Sequence, residues 1–139
     1  MLRVSYPATG IDIVCTFDLK HKRMQADNTG SIFIEDDAKE WETVGEGVKR
    51  KIMAYDDRIM LVKVAFEKGS IGALHQHPHA QVTHVQSGAF EVEVEGVKKL
   101  LQGGDAFLIP SNALHGVVCV EAGVLIDVFT PIREDFLTK

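Results

Sequence analysis

Gly69-Ser-Ile-Gly-Ala-Leu-His75-Gln-His77-Pro-His79-Ala-Gln81-Val-Thr-His-Val-Gln-Ser-Gly88 decides how the rest of the chain is read. Side chains alternate faces along an extended strand, so His75 and His77 point the same way, roughly 6.6 Å apart along the chain. Two imidazoles on one face can converge on one ion, and the stretch reads as a metal site in a small β-barrel. His79 shares that face if the strand stays extended through Pro78, which leaves a His75/His77/His79 cluster as an alternative. His84 shares parity with Val82, opposite Gln81, and His21 lies in the basic run 20–23; both read as structural or solvated.

The flanking sequence is β-like. Val48 to Tyr55 and Ile59 to Phe66 surround a polar break at Asp56-Asp57, and Met60, Val62, Val64 and Phe66 share a face that should enter the core. In Ala89 to Glu95, Phe90, Val92 and Val94 alternate with Glu91, Glu93 and Glu95, which should face water. Gly103-Gly104-Asp105 turns the chain into Ala106 to Ile109, and Pro110 to Asn112 turns it again. Leu114 to Val120 and Val124 to Thr130 then flank a turn at Glu121-Ala122-Gly123. Many short antiparallel strands around one core predict an all-β, single-domain jelly-roll β-barrel with short helical turns, one of them near Asp36 to Trp41. Trp41 should serve packing rather than function.

With 139 residues and 45% hydrophobic content, the chain supports one domain with a real core. We divide it into residues 1–35, an amino-terminal extension of no assigned role, and 36–139, the barrel domain. A net charge of −5 offers no footprint for nucleic acid. Cys15 and Cys119 form neither a disulfide framework nor a CxxC pair, and no apolar run reaches membrane-spanning length. A cytoplasmic setting is expected, with no nucleic-acid or membrane partner.

The last strand carries an anomaly. Leu125, Asp127 and Phe129 share one face, and Val124, Ile126 and Val128 the other. A carboxylate inside the barrel beside a cation would be poised for acid–base work, its pKa raised by desolvation and lowered by the metal; a structural pairing of Asp127 with an arginine is the plainer alternative. Arg133 follows Pro131 near the same mouth, and Arg50 shares parity with Val48 and Ile52. Either can clamp a carboxylate bidentately, or Arg50 can serve a surface salt bridge. The outward Val124/Ile126/Val128 face is a candidate homodimer interface or the core of a second sheet.

Written as Gly69-x5-His75-x-His77-x3-Gln81-x6-Gly88 and Gly104-x5-Pro110-x-Asn112-x2-His115-x3-Cys119, the two constellations resemble the paired motifs of the cupins. In that family two His and a Glu from the first motif and a His from the second surround a divalent metal. Three departures stand out: Gln81 replaces the Glu, Asn112 a Gly, and Cys119 an Asn. The runs from Gly47 to Asp56 and from Glu121 to Leu137 are similar to the KdgF-type pectin-degradation cupins, which share the Gln. That resemblance covers roughly residues 46–137. It implies metal ligation by His75, His77, Gln81 and His115, with Asp127, Phe129 and Arg133 at the substrate site; read from the residues alone, a Gln81 that points at the site as a non-ligand and hydrogen-bonds a water or bound molecule is the alternative. It also implies a small sugar-acid partner, an unsaturated monouronate from pectin or alginate lyases, converted to its linear 5-keto-4-deoxy form. Imidazole and amide oxygen accept nickel, zinc, iron, cobalt or manganese alike. No anionic ligand remains to cancel the ion's charge, which favours polarising an oxygen over activating dioxygen. An iron-dependent dioxygenase and a non-catalytic sugar- or metal-binding cupin are the competing readings.

Overall fold

The computed structural model describes residues 32–138. The expected extension, with Cys15 and His21, therefore lies outside the described residues except for residues 32–35. Eight strands follow one another: β1 (Glu42–Gly45), β2 (Val48–Tyr55), β3 (Met60–Phe66), β4 (Ile71–His75), β5 (Ala80–Val94), β6 (Val97–Gln102), β7 (Ala106–Ile109) and β8 (His115–Thr130). Two single 3₁₀ turns, Asp36–Ala38 and Glu134–Phe136, are the helical elements among the described residues. The all-β jelly roll is borne out.

All pairings are antiparallel, in the order β1-β2-β3-β8-β5-β6, with β4 added beside β8 and β7 beside β5. Two long strands make this possible. The later part of β8 pairs β3 and the first half of β5, while its earlier part pairs β4 and the second half of β5. Each long strand thus serves two sheet regions.

The register shifts between Val85 and Phe90 mark the bend. The predicted turn at Glu121-Ala122-Gly123 and the predicted separate strand at Ala89 are corrected here. Both lie inside continuous strands of 16 and 15 residues. A small-residue bulge supplies the same local signal as a turn, and here the ladder resumes beyond it. Gly88, at φ +81°, is required: a Cβ there would lie 2.6 Å from the Glu121 carbonyl oxygen. By contrast the turn at Glu95-Gly96 is real. Both residues have positive φ and join β5 to β6 as a two-residue hairpin.

The core forms where the alternation predicts it. Val48, Phe66, Val85, Phe90, Val92, Cys119 and Leu125 make one buried cluster; Met60, Val62 and Phe129 make another. Phe66 and Phe90 meet edge to face at 5.4 Å between ring centroids, a pairing that adds about 0.5–1.5 kcal/mol beyond burial. The glutamates of β5 do more than face water. Glu91 and Glu93 are half-buried and pair with Lys98, and the Glu95 carboxylate accepts the Leu114 backbone N–H.

On the opposite face of β2 and β3, Lys51 and Lys63 are cross-strand neighbours that both reach Asp36, at 3.3 and 2.7 Å. These bonds, led by that from Lys63, hold the Asp36 carboxyl below its usual range. The Lys51 ammonium lies 4.6 Å from the Trp41 ring centroid, so Trp41, 40% exposed, covers a buried lysine rather than entering the core. The 3₁₀ turn at Asp36 is thereby fastened to the barrel wall. Val124, Ile126 and Val128 lie half-buried on the outer side of β8.

Candidate metal centre

His75 ends β4 and His115 begins β8, and the two are cross-strand partners with ring centroids 4.3 Å apart. His77 enters from the segment between β4 and β5, its ring 4.8 Å from that of His115 and 5.5 Å from that of His75. One ligand nitrogen from each of the three lies within 4.8 Å of the others. His79 lies outside this converging set, although its ring is 5.4 Å from that of His77. His84 is exposed on the other face of β5.

The protonation of the trio follows from its hydrogen bonds. Nδ1 of His75, His77 and His115 lies 2.8, 3.0 and 2.8 Å from the carbonyl oxygens of Ala73, His79 and Ala113. A carbonyl only accepts, so each Nδ1 carries the proton and each Nε2 keeps a free lone pair. His115 Nε2 is buried with no hydrogen-bond partner. His77 Nε2 lies 3.1 Å from Gln81 Oε1, which sets two acceptors side by side. A cation between them would take both lone pairs and relieve that opposition. Burial, with the Arg133 and His115 charges adding to it, pushes the His77 pKa down to about 4, and burial lowers that of His115. Both rings are therefore neutral at neutral pH, the form that ligates. The donor set fits a divalent transition metal with no anionic ligand.

From Gln81 a buried hydrogen-bond chain runs away from the histidines. Gln81 Nε2 donates to Thr83 Oγ1 at 2.9 Å, and Thr83 donates to Asp127 Oδ1 at 2.6 Å. Thr83 and Asp127 are register partners on β5 and β8. Burial pushes the Asp127 pKa up to about 6 against the opposing pull of Thr83, Gln81 and the Arg133 charge. Phe129, two residues on, packs its ring 5.8 Å from that of His77. The hydrogen bond of Asp127 goes to the Thr83 hydroxyl, while the nearby Arg133 pairs with Asp135.

The arginines arrive already partnered. Arg133 makes a two-pronged bond to Asp135, at 3.0 and 2.7 Å, and Arg50 bonds Glu42 at 3.0 Å. Both guanidinium groups rest on the Phe136 ring, at 4.1 and 3.9 Å from its centroid. Arg133 also lies 5.3 Å from the Phe129 centroid, and the buried Nε of Arg50 has no acceptor. A cavity of about 190 Å³ is bordered by His75, His115, Gln81, Asp127, Phe129 and the two arginines. That is room for a small molecule.

The motif departures find physical explanations. Asn112 has φ +62°, a conformation that asparagine tolerates nearly as glycine does. Cys119 is buried in the core, where burial raises its thiol pKa, and it is not part of the histidine cluster. Sequence reasoning missed Thr83, Glu42, Asp135 and Phe136. Thr83 carried a usable signal, since it shares strand parity with Gln81.

A bent barrel with histidines converging at its mouth is the architecture of a cupin, and residues 62–129 match the cupin domain family. The pectin degradation protein KdgF of Dickeya dadantii (strain 3937) is 50% identical over 104 residues, covering 73% of this chain and 94% of that protein. The structure of KdgF from Halomonas sp. superposes with a TM-score of 0.74 at 42% identity, covering 76% of this chain and 98% of that one. An RmlC-like cupin from Shewanella frigidimarina NCIMB 400 gives a TM-score of 0.76 at 42% identity, covering 81% and 99%. This chain belongs to the KdgF-type family of cupins.

Proposed function

We propose that this protein is a metal-dependent enzyme that converts unsaturated monouronates, of the kind released when lyases cut pectin or alginate, into linear 5-keto-4-deoxyuronates. The likeness to proteins named for pectin degradation supports the substrate class. One observation carries the chemistry: a single carboxylate whose pKa is raised by burial, Asp127, and a cationic side chain, Arg133, border the same small cavity as His75, His115 and Gln81.

His75, His77, Gln81 and His115 would hold the divalent ion. When bound, it supplies Lewis-acid polarisation of a substrate oxygen without redox change. Arg133 and Arg50 orient the substrate carboxylate, and Phe129 walls one face of the ring. The Asp127 carboxylate accepts the proton of the C1 hydroxyl as the C1–O5 bond breaks and C1 becomes an aldehyde. The electron pair of that bond stays on the former ring oxygen at C5, across from the C4–C5 double bond. Asp127 returns its proton to C4, and C5 becomes a ketone. Atoms and electrons balance, so the reaction is an isomerisation.

The test is spectrophotometric. Protein incubated with an unsaturated monouronate should abolish the ultraviolet absorbance of the conjugated double bond, anaerobically as well as in air, and a chelator should stop it. An oxygen requirement, or no chelator-sensitive loss, would remove the proposal. We also propose a homodimer through the outward Val124, Ile126 and Val128 face; light scattering should report a dimer that Ile126→Lys converts to a monomer.

A further inference from the structure

We propose that Thr83 is a positioning residue that fixes which end of the Gln81 amide faces the histidines. The inference rests on the metal-site reading above and deepens it.

A carboxylate at a ligand position presents the same oxygen whichever way it turns. An amide does not: one end is a lone-pair donor to a cation, and the other is a pair of N–H bonds whose positive ends repel it. A cupin that places Gln at this position therefore needs something to select the rotamer. Thr83 meets the requirement. It is wholly buried, and its hydroxyl has one proton, which it gives to Asp127 Oδ1 at 2.6 Å. What remains on Thr83 Oγ1 are lone pairs, and these accept Gln81 Nε2–H at 2.9 Å. Turning the amide over would bring Gln81 Oε1 against those lone pairs, acceptor to acceptor. Gln81 Oε1 is thereby held on the side of His77 Nε2, 3.1 Å away. The strand supplies the placement, because residues 81 and 83 share a face of β5 and Thr83 is the register partner of Asp127.

The experiment measures Ni²⁺ and Zn²⁺ dissociation constants by isothermal titration calorimetry, independently of turnover. Thr83→Val keeps the shape and removes the hydroxyl; it should weaken binding about 10- to 100-fold, the usual effect of losing a group that orients a ligand. Thr83→Ser should bind within about threefold of wild type. In a Gln81→Glu background, where no rotamer need be chosen, Thr83→Val should change affinity by less than about threefold. Thr83→Ala takes the same place in the comparison if Thr83→Val does not fold. Wild-type affinity in Thr83→Val, or an equal loss in the Gln81→Glu background, overturns the inference while leaving the metal site standing. Wild-type protein that binds neither ion overturns the metal reading and this inference with it.

Discussion

Arg50 and Arg133 share one aromatic ring: their guanidinium carbons lie 3.9 and 4.1 Å from the centroid of Phe136. Two like charges come together because each has its own carboxylate, Glu42 for Arg50 and Asp135 for Arg133, and because the ring face offers negative charge to both. The carboxy-terminal turn thus carries the plate on which two cations from distant parts of the chain are held.

Phe136→Ala should release both guanidinium groups from that plate. We expect KM for the monouronate to rise about tenfold with a smaller change in kcat, together with a stability loss of about 1–3 kcal/mol for truncating a half-buried aromatic. Steady-state kinetics and urea unfolding check the two parts separately.

Asp127→Asn keeps the volume and removes the titratable proton. Metal content by elemental analysis should match the wild type, while the ultraviolet rate falls about 10²-fold or more, the usual contribution of a placed general acid–base group. Unchanged turnover would take Asp127 out of the proton path.

The pH dependence of stability in chelator-treated protein has two opposing parts. His77, with its pKa moved from 6.5 down to about 4, and His115, lowered in the same sense, take up protons in the unfolded chain first; stability is lost as pH falls through that window. Asp127, raised from 3.8 to about 6, is protonated in the folded state first, so its part of the stability is lost as pH rises through 3.8 to 6. Asp127→Asn should therefore make the acid-side fall in melting temperature steeper between pH 6.5 and 4. Added Zn²⁺ at a hundredfold excess over its dissociation constant should raise the melting temperature by roughly 10 °C at pH 7. Thermal melts across pH, with and without metal, measure both.

Gly88→Ala meets a backbone oxygen at 2.6 Å and a φ of +81°. A cost of about 2–4 kcal/mol is expected in denaturant unfolding.

How much of this was legible depends on the range over which each signal acts. The inward Asp127 follows from strand periodicity, and the structure buries it as the alternation requires. His75 and His77 converge as expected but for a different reason: β4 ends at His75, and His77 is placed by the non-strand segment before β5. Glu121-Ala122-Gly123 reads as a turn, and Ala89 as the start of a separate strand, because small residues serve bulge and turn alike; whether the ladder resumes is decided by partners far away in sequence. Phe136 escaped notice for the same reason: its importance lies in Arg50, 86 positions earlier, which only the closed barrel brings near. Thr83 was overlooked although it sits on the strand face of Gln81, since a lone threonine among valines signals β-structure before it signals function.

The continuity of β8 has a mechanical corollary. His115 opens that strand and Asp127 stands 12 residues later on the same backbone, beyond the bulge. His115 of the histidine cluster and the buried Asp127 therefore stand on the two arms of one bent rod, and any change in the angle of that bend swings one relative to the other. Tuning for a different sugar acid should accordingly be tolerated at the detachable rim, β1 and the carboxy-terminal turn, and punished at the elbow.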